Sequence, residues 1–354
     1  MKASFDFASA ESVLSQAVNE MAFPAAVAEV GSHETVFWEG AFGKLGNALE
    51  RRATPQTIFD LASLTKVIVT TTLAMRAIDA GRLSLSDKLS SYLAHWKGLD
   101  REIVTIEDLL SHSSGLTAHL PFFRDHKTRE EFEFSISSLP LEYVPRTCSL
   151  YSDLGFILLG FILKDVDVEN CSLDRQFQML VQGHDWAELC FCPPLVLRDR
   201  TAATEFDSWR GRIAHGEVHD ENAWALGGVA GHAGLFGTAR GVGRFAQQIL
   251  GSFLGDERLV SRSTFGYFAR RTSTPNSSRA LGWDTMLPTS SCGRRMSSVS
   301  VGHTGFTGTS LWIDPVADIY IVLLTNRVNP SRRNDSILEI RPRFHDAIME
   351  AALS

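Results

Sequence analysis

Along the chain, the period of the apolar positions changes twice. Residues 8 to 22 repeat apolar positions at helical spacing, which predicts an amphipathic helix. The stretches "AAVAEVG" and "TVFWEGAFG" then predict two strands, joined as a hairpin at Gly-Ser-His. From about 60 to 250 the pattern becomes helical segments broken by loops. One of these, "LTKVIVTTTLAMRAIDAG", has Gly81 placed as its C-terminal stop. The last third returns to strands: "ALGWDTML", "SVSVGHTG", "GTSLWID" and "DIYIVLLTN", with turns at Gly308 and Asp314-Pro315. "IYIVLL" is apolar on both alternating faces, so it predicts a central strand covered on both sides. Residues 337 to 352 predict a closing helix. The whole reads as an α/β (α+β) protein with one domain over 1–354. Its antiparallel sheet comes from 1–60 plus 255–354 and is flanked by helices. A mostly helical part, 61–254, lies beside it, with room for a site between the two.

Composition narrows the function classes. The 354 residues are 44% hydrophobic and 21% charged, enough for a sizeable core. A net charge of −7 gives no basic patch, so neither nucleic acid nor an anionic membrane is expected as a partner. No segment has the apolar length of a membrane span, and the opening "MKASFDFASAESVLSQAVNE" lacks the apolar run of a secretory signal or anchor. The five cysteines, Cys148, Cys171, Cys190, Cys192 and Cys292, are odd in number and scattered. They suit reduced thiols and a cytoplasmic location better than a disulfide framework.

Candidate chemistry begins at "IFDLASLTKV", residues 58–67, where a helix is expected to start. Ser63 there is a good N-cap, and a Ser-x-x-Lys arises by chance about once in a chain of this size. However, positions i and i+3 share a helix face, so the amine of Lys66 can reach the Ser63 hydroxyl. A buried lysine that loses its charge can take the serine proton and activate a weak nucleophile. In "LYSDLGFILLGFIL", Tyr151 and Asp153 precede an apolar helix, where Asp153 also reads as an N-cap and Tyr151 as a core or rim aromatic. In "GHTGFTGTSLWIDP", His303, Thr304 and Gly305 end one strand just before another, and a tight turn with an incidental histidine is the plain reading. Other clusters are weaker. "HGEVHDEN" sets His215 and His219 near Glu217 and Asp220, but Gly216 disfavours the helix that a zinc pair needs, so a loop lining the cleft is expected. Cys190-Phe-Cys192 lacks a second pair, and the glycines of "LGGVAGHAGLFG" lack a phosphate-loop lysine and read as turn and packing positions.

Taken together, S-L-T-K at 63–66, Y-S-D at 151–153 and H-T-G at 303–305 resemble the three ordered motifs of the serine β-lactamase and penicillin-binding-protein superfamily. The variants resemble its class C-like branch, with family VIII esterases and D-aminopeptidases. "LLSHSSGL" at 109–116 and "AGHAGLFGTARGVGRFAQQIL" at 230–250 are similar to segments of that branch, and the resemblance spans about residues 20 to 350. It implies a β-lactamase/transpeptidase-like fold and an acyl-enzyme at Ser63. It implies that Lys66 and Tyr151 share the acid–base work, that the oxyanion is held by the N–H groups of Ser63 and Phe306, and that Asp153, His303, Thr304 and Gly305 bind substrate. No metal or organic cofactor is implied.

Two positions depart from the penicillin-recognising pattern. Asp153 stands where asparagine is usual; it cannot donate an amide N–H, and if ionised it holds Lys66 charged. His303 stands where a permanently charged lysine is usual, and an ordinary imidazole gains its charge only near pH 6.5. It is therefore expected to favour carboxylate-bearing substrates at acid pH. Both changes weigh against β-lactamase or DD-peptidase activity and towards hydrolysis of small esters or amides. The alternatives are an acyltransferase, a D-aminopeptidase or DD-peptidase, and a catalytically weak binding or sensor protein.

Overall fold

The two ends of the chain meet in one antiparallel sheet. A computed structural model of the chain describes residues 5–186 and 188–354, so residues 1–4 of the expected sheet part lie outside it. The N-terminal strands are β1 (Ala25–Gly31), β2 (Val36–Gly46) and β3 (Leu49–Arg52). Five short strands follow: β4 (Phe59–Asp60), β5 (Leu189–Phe191), β6 (Phe206–Asp207), β7 (Arg212–Ile213) and β8 (Leu235–Gly237). The last four are β9 (Asp284–Thr285), β10 (Val301–Thr304), β11 (Ser310–Asp314) and β12 (Ile319–Thr325). Seven of these strands form the main sheet, in the order β3-β2-β1-β12-β11-β10-β9.

The expected central strand is β12, which pairs β1 on one side and β11 on the other. Its side chains alternate between two cores. Ile319, Ile321 and Leu323 face a layer made by helices α1 (Ala8–Asn19) and α10 (Ile337–Leu353). Tyr320, Val322 and Leu324 face the larger core, where α8 (Ala239–Phe253) lies against β1, β11 and β12. The 61–254 stretch thus contributes α8 to a face of the sheet. Its other helices are α2 (Thr72–Asp79), α3 (Ile106–Leu110), α4 (Arg129–Ser138), α5 (Asp153–Asp165), α6 (Leu173–His184) and α7 (Glu221–Ala225). Helix α9 (Arg262–Phe268) precedes the C-terminal strands.

Two expectations are corrected. Helix α1 ends at Asn19 instead of residue 22, because Met21 takes a positive φ and the Ala22 amide turns back to the Ala17 carbonyl. "ALGWDTML" yields only the two-residue β9, since Gly282 adopts φ +80 and breaks the extended run. The middle is mostly helical, as its pattern predicts, and also holds β5 and β8, which with β4 form a three-stranded sheet too short to show a period in the sequence.

Candidate active site

Ser63 is presented by a strained turn. After β4, Ala62 takes φ +48, a conformation unfavourable for a residue with a side chain. Buried Asp60 holds it there, accepting the Ala62 N–H at 2.8 Å and the His219 N–H at 2.6 Å. The helix starts at once, the Lys66 N–H bonding to the Ser63 carbonyl, but its first turns are wide. Lys66–Thr71 is a π-helix, and the Thr72 hydroxyl donates to the Val67 carbonyl five residues back before α2 continues. Among the described residues, the Ser63 hydroxyl has one hydrogen-bond partner, Lys66 Nζ at 3.0 Å, so it caps no helix.

Lys66 is fully buried, and its amine meets three acceptors: Ser63 Oγ at 3.0 Å, Asp153 Oδ1 at 2.8 Å and the His232 carbonyl at 3.0 Å. An ammonium has three protons to give. Burial alone lowers a lysine pKa, but the charge of Asp153, with Tyr151 beside it, reverses this and holds Lys66 above its ordinary value. Burial likewise raises the Asp153 carboxyl, and the Lys66 charge overcomes it and holds the acid well below the usual range. The pair is ionic, so Asp153 holds Lys66 charged. The His232 carbonyl gets close through a glycine contact: a Cβ on Gly231 would sit 2.0 Å from the Phe156 carbonyl oxygen and 3.0 Å from the Gly160 nitrogen.

Asp153 is not the cap of α5. Ser152 is, accepting the Gly155 N–H, which frees the Asp153 carboxylate for Lys66 and leaves its second oxygen 3.6 Å from His119 Nδ1. Tyr151 puts its ring 4.9 Å from Lys66 Nζ. Its buried hydroxyl makes no well-formed hydrogen bond, though Lys66 and Ser63 are its polar neighbours. Burial raises its pKa against the pull of Lys66, so it is a neutral phenol. Beneath it lies His112, which the motifs alone did not single out, although "LLSHSSGL" contains it. Its ring is 4.6 Å from that of Tyr151 and stacks on Phe156, and Nδ1 accepts the Ser152 N–H at 3.1 Å.

The H-T-G triplet ends β10. His303 is buried, its Nδ1–H donates to the Thr304 carbonyl at 2.8 Å, and burial, then the charges of Arg279 and Lys66, hold its pKa well below 6.5. The expectation that His303 gains charge near pH 6.5 is thereby corrected: the site keeps it neutral. Gly305 packs on the serine turn, where a Cβ would lie 2.6 Å from the Leu61 carbonyl oxygen and 3.2 Å from the Ala62 Cβ. Thr307 and Thr309 donate to the Asp60 and Leu61 carbonyls at 2.8 and 3.0 Å, fastening the triplet to that turn. The N–H groups of Ser63 and Phe306 make no hydrogen bond among the described residues. A cavity of about 260 Å³ is lined by Ser63, Tyr151, His303, Thr304, Gly305 and Phe306, and by Arg279, for which the sequence carried no signal.

The weaker clusters resolve differently. His215 is bonded to the Thr201 carbonyl, His219 to Glu205, Glu217 to Arg212, and Asp220 caps α7 while pairing with His232. Structure brings together another trio, His119, Asp153 and Asp220, with ligand atoms within 4.8 Å of one another. The Lys66 ammonium 2.8 Å from Asp153 opposes a cation there. The thiol of Cys190 is half-buried and pushed up to about 11 by burial, that of Cys192 is exposed, and neither is in a disulfide. Gly227, Gly228 and Gly234 occupy positive-φ turns, as read. No helix among the described residues is long and apolar enough to cross a membrane.

The chain is similar to known proteins over nearly its whole length. The "Putative D-alanyl-D-alanine carboxypeptidase" of Salmonella gallinarum (strain 287/91 / NCTC 13346) and that of Salmonella typhi are each 31% identical to it over 327 residues, covering 81% of this chain and 73% of theirs. Among solved structures, a class C β-lactamase from Rhodobacter sphaeroides superposes with a TM-score of 0.77 at 19% identity, over 98% of this chain and 99% of that one. "EstCE1, a hydrolase with promiscuous acyltransferase activity" gives 0.75 at 22% identity, over 95% and 97%. At such identities the structures speak for the fold, a seven-stranded antiparallel sheet flanked by helices. The family model Beta-lactamase matches residues 10–341, and the chain belongs to that family of serine hydrolases.

Proposed function

We propose that the protein forms an acyl-enzyme at Ser63 and hydrolyses small esters or amides. The observation that carries this reading is the 3.0 Å contact between Ser63 Oγ and a fully buried Lys66 Nζ at the edge of the cavity. Ser63 Oγ attacks the carbonyl carbon, and the free N–H groups of Ser63 and Phe306 take the charge that develops on oxygen. Lys66 must first become a base. Its ammonium passes one proton to Asp153, 2.8 Å away, and then accepts the proton of Ser63. A bound substrate favours this by excluding water, since an ion pair loses more solvation than a neutral amine and acid. Tyr151, neutral under its raised pKa, gives its proton to the leaving oxygen or nitrogen and recovers one from Lys66. Water then cleaves the Ser63 ester by the reverse transfers.

The same intermediate passed to an alcohol or amine makes an acyltransferase, a reading supported by the likeness to EstCE1, a hydrolase with promiscuous acyltransferase activity. The name of the Salmonella relatives supports a peptide substrate. Five free thiols support a cytoplasmic location. An alkyl fluorophosphonate should add its mass at Ser63 in peptide mass spectrometry, and labelling that persists in Ser63→Ala defeats the reading. Short-chain p-nitrophenyl esters, D-amino-acid amides and a chromogenic cephalosporin, with and without an alcohol acceptor, then rank hydrolysis against transfer.

A further inference from the structure

The second oxygen of Asp153 faces His119, a residue that no sequence motif singled out. The loop carrying this histidine is held on both flanks. The Thr117 carbonyl accepts the Ser152 hydroxyl at 2.7 Å, the Ala118 carbonyl accepts the Asp153 N–H at 2.9 Å, and the Leu120 carbonyl accepts Asn222 Nδ2 at 2.8 Å. His119 Nδ1 is thereby kept 3.6 Å from Asp153 Oδ2, while Asp153 Oδ1 is 2.8 Å from Lys66 Nζ. Exposure rises along this line: the side chains of Lys66, Asp153 and His119 are 0%, 19% and 42% exposed. It leads from the buried amine to solvent. Three acids act on the imidazole, Asp153 from α5 and Asp220 and Glu221 from the start of α7, and they raise its pKa against burial, the Asp153 carboxylate most. Each has a partner of its own: Asp153 has Lys66, Asp220 has His232 at 2.8 Å and Glu221 has Arg332 at 2.7 Å. A proton left on Asp153 lies 2.8 Å from a basic amine and falls back to it. An imidazole beyond the carboxylate takes it out of that contact.

We infer that His119, acting through Asp153, holds the proton that Lys66 must lose to become a base. The inference rests on the hydrolase reading above and deepens it; His119 touches no reacting atom and is a positioning residue for the charge of Lys66. The Lys66 Nζ–H bond breaks as a proton moves to Asp153 Oδ1. The carboxyl group then turns about its Cβ–Cγ bond, and the proton leaves it for Nδ1 of neutral His119. Asp153 is again an anion, the positive charge has moved from a buried amine to a half-exposed ring, and neutral Lys66 takes the Ser63 proton as Oγ attacks. After product leaves, the proton returns by the same path. The 3.6 Å separation closes to a hydrogen bond for the transfer, as contacts in an unliganded site do.

The test is the pH dependence of kcat and KM from about pH 5.5 to about pH 9, on one short-chain alkyl ester, which imidazole alone does not cleave, for wild type, His119→Gln and His119→Ala. Wild-type kcat should rise with pH through a midpoint above 6.5, as His119 loses the proton that blocks the transfer. In His119→Gln, kcat should be about 100-fold lower, KM nearly unchanged because other residues line the cavity, and the rise at that midpoint gone. Imidazole added to His119→Ala should restore kcat in proportion to its neutral form, as a mobile acceptor for the same proton, and should leave wild type unchanged. A wild-type profile without the rise, wild-type kcat or an unmoved midpoint in His119→Gln, or His119→Ala indifferent to imidazole overturns the assignment. Activity removed by a chelator and restored by zinc also overturns it, since His119, Asp153 and Asp220 would then hold a metal. Fluorophosphonate labelling of Ser63 in wild type separates the two readings. Labelling with no dependence on His119 overturns only the role of His119, and no labelling overturns both.

Discussion

Lys66 brings three protons to three acceptors, and this arrangement governs what single substitutions do at the site. Removing its amine leaves Ser63 without a base and Asp153 as a buried anion without a partner, while Tyr151→Phe removes the phenol proton proposed for the leaving atom. Each change is expected to lower kcat by about 100- to 10,000-fold. Because both groups serve one proton transfer, the double variant should fall within about threefold of the poorer single variant. Kinetics of the three variants on one ester check this, and full additivity of the two losses would show that the groups act independently. Ser63, Lys66 and Tyr151 were legible because i, i+3 spacing and an ordered set of motifs are local properties. Arg279 was not: only the fold brings residue 279 over the ring of residue 151.

At the scale of elements, the site depends on backbones that approach more closely than a side chain permits. Gly231 lets its loop reach α5, and this sets the His232 carbonyl on Lys66 and the Gly231 carbonyl on the Thr70 hydroxyl at 2.6 Å. Gly231→Ala must push the loop away, since its Cβ would lie 2.0 Å from a main-chain oxygen. Stability is expected to fall by about 1–3 kcal/mol, and kcat to fall with it because Lys66 loses an acceptor. Gly183→Ala in α6 meets nothing within 4 Å and should be neutral or stabilising by about 0.5–1 kcal/mol. Thermal denaturation and ester turnover of the two variants separate these effects, and wild-type turnover in Gly231→Ala would refute the role of the loop. The glycine-rich stretch was read correctly as turn and packing positions, but the π-helix was not foreseen. Lys66 to Thr71 has an ordinary helical pattern, and the widened segment is where the Thr70 hydroxyl bonds the Gly231 carbonyl, a contact made only in the folded state.

At the scale of the whole molecule, burial among the described residues holds the imidazoles of His112, His303 and His345 neutral, the last pushed down to about 3. In the unfolded chain each has an ordinary pKa near 6.5. Below that value, and above the folded one, only the unfolded chain takes up the proton, so stability is lost as pH falls through about 6.5. Between pH 7 and pH 5.5 each histidine should remove about 1.3 kcal/mol. His119 works the other way: the Asp153 carboxylate, 3.6 Å away, raises its pKa, so it adds stability below 6.5. His345 lies away from Ser63 and bonds the Ser291 carbonyl at 3.0 Å, so His345→Gln isolates one contribution. Denaturant unfolding at both pH values should show the loss reduced by about 1.3 kcal/mol in that variant, and an unchanged loss would mean that His345 is protonated when folded.

What the sequence by itself determined are the properties carried by short-range order. These are the terminal strands, a central β12 apolar on both faces, the closing helix α10, and a serine with its lysine at a helix start. Periodicity and spacing encode these because strands and helices repeat every two and 3.6 residues. Only the tertiary structure decided the electrical state of the site. Asp153 lies 87 positions from Lys66 in the chain, yet holds it charged from 2.8 Å. His303 is neutral because it is buried with Arg279 and Lys66 beside it. Charge states depend on distance and solvent exclusion between residues far apart in sequence, and neither quantity exists until the chain has folded.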